Sequence, residues 1–303
     1  MKSKFVSLIA VFGLGVVGCG GGGDGEVTKV EGTNSAKYAT SSITLPANSM
    51  ASAFDIDGDG TPDNKLGSII AGLAAVNLKP QASADDAVMK GELVLLLEET
   101  STDASQMQAS NAGVKLSLAN KATSPPHYDG TDTFTINASQ PPAQFLGNIS
   151  AGTFTSNNPA TTSTPVTLVI ALPLVEGQDA LMVPVTAGRI TFKRGADGKL
   201  TGGQINGALK KTDVDTVVLP AVAMLITAQV MQPDASDAIK SFDLDHDGTV
   251  TVDELKQNSL ITNFLSPDIQ LFDATGAYKP NPAKPMKDSL SLGLAFTAVG
   301  ATF

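Results

Sequence analysis

Two short stretches concentrate carboxylates in a chain that is otherwise sparsely charged. They run from Asp55 to Asp63 (Asp-Ile-Asp-Gly-Asp-Gly-Thr-Pro-Asp) and from Asp243 to Glu254 (Asp-Leu-Asp-His-Asp-Gly-Thr-Val-Thr-Val-Asp-Glu). Each sets three aspartates at alternate positions ahead of a glycine, which bends the backbone so that several oxygens converge on one point. Only 17% of the 303 residues are charged, so this clustering is local and not a by-product of composition. The chemistry expected of such loops is capture of a hard, oxygen-seeking cation.

The second stretch resembles the twelve-residue EF-hand loop at every diagnostic position. The resemblance implies calcium held by the carboxylates of Asp243, Asp245 and Asp247, by the carbonyl of Thr249, by Thr251 through water, and by two oxygens of Glu254. Gly248 makes the sharp turn. Ile239 and Phe242 before the loop, and Leu255, Ile261 and Phe264 after it, are spaced to face a core. Thr251 and Glu254 form a capping-box pattern at the start of an outgoing helix.

The first stretch shares the D-x-D-x-D-G core but carries Leu66 at the twelfth position, where no ligand is possible. It resembles a thrombospondin type 3 repeat or another short Asp-rich calcium loop. In that reading Asp55, Asp57, Asp59, Thr61 and Asp63 contribute, and a distant carboxylate, Asp85 or Asp86, completes the shell. Paired EF-hand loops exchange backbone hydrogen bonds at their eighth positions, and Pro62 there has no N–H to donate. The two loops are therefore expected to act separately. An unpaired EF-hand in an extracellular setting should bind weakly, with a dissociation constant on the order of 10⁻⁴ to 10⁻³ M, and calcium would then be structural more than regulatory.

Catalytic residues are harder to nominate, and none is proposed. The chain has two histidines, His127 and His246; the latter is the non-ligating fourth residue of its loop, and the former sits among turn-forming residues. Gly13-Leu14-Gly15-Val16-Val17-Gly18 matches the dinucleotide fingerprint G-x-G-x-x-G, yet lies inside an apolar leader and neither follows a strand nor opens a folded helix. A carboxylate enzyme acting on glycans, with calcium holding its scaffold, is the alternative to a binding or structural protein. The remaining acidic residues are too scattered to name a pair. A net charge of −10 argues against nucleic acid as a partner, leaving a protein or a glycan.

The N-terminus bears on where this chemistry would happen. Lys2 and Lys4 precede an apolar run from Phe5 to Val17, the form of an export signal over residues 1–18. Val16-Val17-Gly18-Cys19 resembles the lipobox of bacterial lipoproteins, which implies that Cys19 is acylated and becomes the first mature residue. It is the only cysteine in the chain, so the mature protein has no internal disulfide. Residues 19–37, rich in glycine, would form a tether, and 38–303 a single domain. The resemblance places the protein in a bacterial cell envelope, anchored to a membrane through lipid. Gly20 after the cysteine, in place of aspartate, resembles outer-membrane sorting.

The elements that position the loops read as an α+β, β-rich fold: a sandwich or partly closed barrel, with the EF-hand helix-loop-helix inserted near its C-terminus and closing strands after it. No tryptophan, 5% aromatics and many turn residues favour short strands. Strands are expected over 39–45, 92–97, 114–119, 133–137, 165–172, 181–186, 189–194, 199–205, 269–272 and 290–303. Apolar spacing predicts a helix from Leu66, stopped by Pro80, and a further turn capped by Ser83. Val217 to Met231 reads as a core helix, shorter than the roughly 20 residues that span a bilayer.

Overall fold

The computed structural model describes residues 27–75, 79–173, 180–233 and 235–303. The export signal, Cys19 and the glycine run from Gly20 to Gly25 lie outside the described residues.

The described residues form one nine-stranded antiparallel sheet with helices packed beside it. In chain order the elements are β1 (Asn34–Thr44), α1 (Lys65–Ala75), α2 (Pro80–Met89), β2 (Leu95–Ser101), β3 (Ala109–Leu118), β4 (Ala143–Ser150), β5 (Thr153–Ser156), β6 (Leu168–Leu172), β7 (Leu181–Arg194), β8 (Leu200–Lys210), α3 (Lys211–Asp213), α4 (Leu219–Val230), α5 (Asp237–Lys240), α6 (Val252–Gln257), α7 (Ser259–Phe264) and β9 (Ser289–Gly300). Strand order is β5-β4-β3-β2-β1-β9-β8-β7-β6, and β5 also pairs with β7. That extra pairing turns the sheet back on itself. The result is ring-like, neither two stacked sheets nor a regular barrel, because β5 is four residues long and shares one edge of β7 with β6.

The pleat explains why these segments pair. In β4, Ala143, Phe145, Gly147 and Ile149 point into the core while Gln144, Asn148 and Ser150 face solvent, the period-two pattern of a half-buried strand. Phe154 of β5 pairs with Phe192 of β7, and their rings stack at 5.4 Å; Phe296 of β9 meets Phe192 edge-on at 6.4 Å. Against this core sits a buried ion pair, Arg194 to Glu99 at 2.6 Å, with the guanidinium also bonded to the Tyr38 hydroxyl. Burial pushes the Glu99 carboxyl up to about 8, and the adjoining guanidinium opposes that shift.

Several expected boundaries move. Segments 181–186 and 189–194 are one strand, β7, interrupted by a bulge where Ala187 adopts φ +52°. Residues 133–137 and 269–272 make isolated bridges, not strands. Pro80 does not merely stop a helix; it opens α2 at the first turn, where its missing N–H is no loss. β8 runs straight into α3 and a π-turn over Val214–Val218, so the helical run from Lys211 to Val230 reaches 20 residues, long and apolar enough by length and composition to cross a membrane. Here Leu219, Val222, Ala223 and Ile226 pack into the main core, while Met224 lies exposed on the other side.

Candidate metal centres

Each Asp-rich loop leaves the fold through a different door. The first follows β1 and is pinned to β9. Phe54 and Asp63 close its base with a pair of backbone hydrogen bonds, 3.3 and 3.1 Å. Next to them, the Asn64 amide both donates to the Gly293 carbonyl (3.0 Å) and accepts from the Gly293 N–H (3.0 Å). Ile56, fully buried, anchors the loop in a small apolar cluster with Ala187, Ala208, Ile269 and Leu271. The second loop hangs from helices. Phe242, Val250 and Leu255 enter the main core, and Val250 exchanges hydrogen bonds with the Thr227 hydroxyl of α4.

Within the loops the backbone takes the same turn twice. Asp55 accepts from the N–H groups of Gly58, Asp59 and Gly60 at 2.8 to 3.0 Å. Asp243 accepts from Asp247 and Gly248 at 3.2 and 2.9 Å. The third aspartate of each loop then binds the N–H two residues on, Asp59 to Thr61 at 2.6 Å and Asp247 to Thr249 at 2.7 Å. Gly60 and Gly248 hold φ +84° and +87°, a left-handed bend that only glycine adopts without strain. Consequently Asp55, Asp57 and Asp59 bring one carboxylate oxygen each within 4.8 Å of one another, and so do Asp243, Asp245 and Asp247. Either triad can hold a metal ion.

Closure differs. Glu254 spans the second loop. One of its oxygens accepts from the N–H groups of Leu244 (2.8 Å) and Asp245 (3.4 Å), the other from the Thr251 N–H (2.7 Å) and hydroxyl (2.8 Å). The Thr251 hydroxyl in turn accepts from the Glu254 N–H, which completes the capping box of α6. The bonds from Thr251 come first among the causes that hold the Glu254 carboxyl below its ordinary range. The flanking helices are short, four residues in α5 and six in α6, because Ser236 caps the first just after Pro233 and α6 ends at Asn258.

The first loop is closed by a lysine. Leu66, at its twelfth position, lies buried in the main core. Lys284, from the Pro-rich segment before β9, places its ammonium 2.9 Å from Asp59, 3.3 Å from Asp63 and 3.4 Å from Asp57. Asp57 is 1% exposed, and neither of its carboxylate oxygens has a hydrogen-bond partner. Burial pushes the Asp57 carboxyl up and lifts that of Asp63 to about 6, in both cases against the pull of Lys284. The hydrogen bond from Lys284 lowers Asp59. Asp85 and Asp86, expected to complete this shell, are engaged on their own helix, Asp85 by Gln81 at 2.7 Å and Asp86 by Lys90 at 2.5 Å. The outside carboxylate that acts on Asp63 is Asp268. Sequence reasoning missed Lys284 because it lies 221 positions from Asp63 and no local pattern links them.

His127 is exposed, with its ring 3.7 Å from Asp132. His246 is exposed as well, at φ +61° in the fourth position of its loop. An apolar cavity of about 80 Å³ lies between α1, α4, α7 and the sheet, lined by residues such as Leu66, Val222, Phe242 and Phe264 and by no ionisable side chain. A cleft of about 800 Å³ has Lys29 as its one ionisable lining residue; another, of about 540 Å³, has Lys121, His127 and Asp132. Among the described residues, none of the three presents two carboxylates. No protein-family model matches the chain, and neither curated proteins nor solved structures show a significant similarity to it.

Proposed function

We propose that this chain is a calcium-binding protein of a bacterial cell envelope, anchored through lipid on Cys19, in which calcium has a structural role and the β-rich body binds a protein or glycan partner. The observation that carries the reading is the second loop. Asp243, Asp245 and Asp247 converge within 4.8 Å, and Glu254, twelfth in the loop, is already laid across its mouth by the capping box. Together with the Thr249 carbonyl and a water at Thr251, this is the oxygen set of an EF-hand. Calcium is favoured over magnesium because the ligands are many, flexible and chiefly carboxylate, whereas magnesium keeps most of its waters. The ion would tie α5 to α6 and, through Val250 and Thr227, to the core helix α4.

Binding is favoured over glycan hydrolysis because the three cavities described above lack a carboxylate pair at the roughly 5 to 9 Å spacing that hydrolysis uses. Lipid anchorage, and the outer membrane as its place, rest on the lipobox resemblance and on Gly20.

Calorimetry tests the calcium reading. Wild type should take up calcium, and Glu254→Gln should weaken the second loop more than tenfold. With a dissociation constant on the order of 0.1 mM, about 2 mM calcium adds roughly 1.8 kcal/mol of stability, seen as a rise of several degrees in melting temperature that chelator reverses. No uptake by wild type would sink the reading. Cell fractionation tests the anchor: Cys19→Ala should move the protein to the soluble fraction, and a variant that stays with the membrane through a salt wash would refute acylation.

A further inference from the structure

We propose that the first loop is a second calcium site whose seat is held by the protein's own ammonium, so that an ion enters only by displacing Lys284. The proposal rests on the calcium chemistry inferred above, but not on occupancy of the second loop.

The central observation is Asp57. A carboxylate 1% exposed whose two oxygens make no hydrogen bond is an exception among buried polar groups, and a bound cation is one remedy, which the neighbouring carboxylates favour over water. Its side chain lies between those of Asp55 and Asp59, with one oxygen of each within 4.8 Å. Lys284 neutralises part of this charge. Asp55, Asp57, Asp59 and Asp63 carry four negative charges against its one positive, which leaves −3 before Asp268 is added. The ammonium donates a hydrogen bond to Asp63 at 3.3 Å, whereas the Asp57 contact at 3.4 Å is an ion pair without one. The arrangement is charge-deficient and poorly bonded at Asp57.

Calcium suits it better. It binds carboxylate oxygens at about 2.3 to 2.6 Å and takes six to eight of them without strict geometry. An ion at that distance from the Asp57 and Asp59 oxygens that face Lys284 would lie no more than about 5.5 Å from its ammonium, which is itself 2.9 and 3.4 Å from them. Two cations that close in a pocket of low dielectric repel strongly. Occupancy by calcium and by Lys284 is therefore mutually exclusive. Removal of the ammonium should raise affinity, whereas removal of a ligand should abolish binding. In the second loop, by contrast, no lysine or arginine forms an ion pair with the aspartates among the described residues.

The test is calcium calorimetry on the full chain carrying Glu254→Gln, which weakens the second loop more than tenfold, so that changes made at the first loop are read against a constant background. Adding Lys284→Met should tighten binding at least tenfold, Lys284→Arg should not, and Asp57→Asn should leave only that background. Equal affinity with and without Lys284, or binding above the background that survives Asp57→Asn, would overturn the proposal. So would absence of binding in the Glu254→Gln, Lys284→Met protein at millimolar calcium. Were Lys284→Met to misfold, wild type labelled at lysine side-chain nitrogens supplies the second measurement. Calcium must move the Lys284 ammonium resonance, and an unmoved resonance at saturation defeats the displacement. Failure of the second-loop reading shows itself separately, as a wild-type titration that Glu254→Gln leaves unchanged.

Discussion

The two Asp-rich loops make the same turn and finish it differently. Both start with an aspartate that gathers backbone N–H groups four and five residues on, both bend through a glycine at the sixth position, and both converge three carboxylates. The helix behind each turn decides the closing group. After the second loop, α6 starts at Val252 and Glu254 becomes the third residue of a capping box, which turns it back across the loop. After the first, α1 starts at Lys65 and its apolar stripe must meet the sheet, which drives Leu66 into the core. The closing charge comes instead from Lys284, far along the chain. A six-residue turn is thus a module, and the element behind it determines whether the module is completed by an acid or by a base.

The largest effect that separates the loops should come from their first aspartates. In chelator, Asp55→Ala leaves three backbone N–H groups without their acceptor, whereas Asp243→Ala leaves only that of Gly248, since the Asp247 N–H keeps the Asp245 carboxylate at 3.2 Å. Each unsatisfied group costs about 1 kcal/mol or more once buried. Gly58 and Gly60 are exposed, so water takes the lost acceptor's place there; Asp55→Ala should therefore lose roughly 1 to 2 kcal/mol in urea unfolding, and Asp243→Ala about 1 kcal/mol. On addition of calcium the order should change, since Asp243→Ala alone forfeits the stabilisation supplied by the second loop. Equal losses in chelator would mean that the additional N–H groups gathered by Asp55 contribute little.

A smaller effect distinguishes them by pH. Burial raises Asp63 to about 6 in the folded protein, above the roughly 3.9 of an unfolded chain. The folded state then binds more protons between those values, so this group makes the metal-free protein less stable as pH rises from about 4 to about 6. Glu254 is lowered. Its contribution is present above the ordinary carboxylate range and is lost as pH falls below it. Carbon-13 titration of the two side-chain carboxyls in chelator should show Asp63 titrating last on acid-to-neutral passage and Glu254 first. The reverse order would show that Lys284 outweighs burial at the first loop.

Much of the second loop was legible because its residues are contiguous. Ligand spacing, capping box and flanking apolar positions all fall within 26 residues, from Ile239 to Phe264, and the observed helices, though shorter, start where the caps are. The first loop was legible only up to Asp63, because its completion is tertiary: Lys284 and Asp268 meet it through the packing of the segment before β9. The sheet shows the same divide. Strands rich in β-branched and apolar residues, such as β6 and β7, stand out from the pattern. β4 and β5 do not: Gly147 and Asn148 look like a turn, and four residues are too few to establish a period. Closure of the ring rests on that short β5, which is why a sandwich and a partly closed barrel could not be separated beforehand.

The smallest expected effect isolates the turn itself. The fourth position of both loops is left-handed, occupied by Gly58 at φ +82° and by His246 at φ +61°. An L-residue there bears a strain of roughly 1 kcal/mol, which glycine relieves while adding a comparable conformational entropy to the unfolded chain. His246→Gly should therefore change stability by no more than about 0.5 kcal/mol in chelator, and His246→Ala, which keeps the strain already present, should change it equally little. Gly58→His should cost more than either. Its φ is farther from the left-handed minimum, and a Cβ there would approach the Ala160 methyl to 3.2 Å. Melting temperatures of the three variants measure this directly. If His246→Gly lost as much as Gly58→His, the imidazole would be contributing something beyond its backbone, and the two turns would no longer be interchangeable.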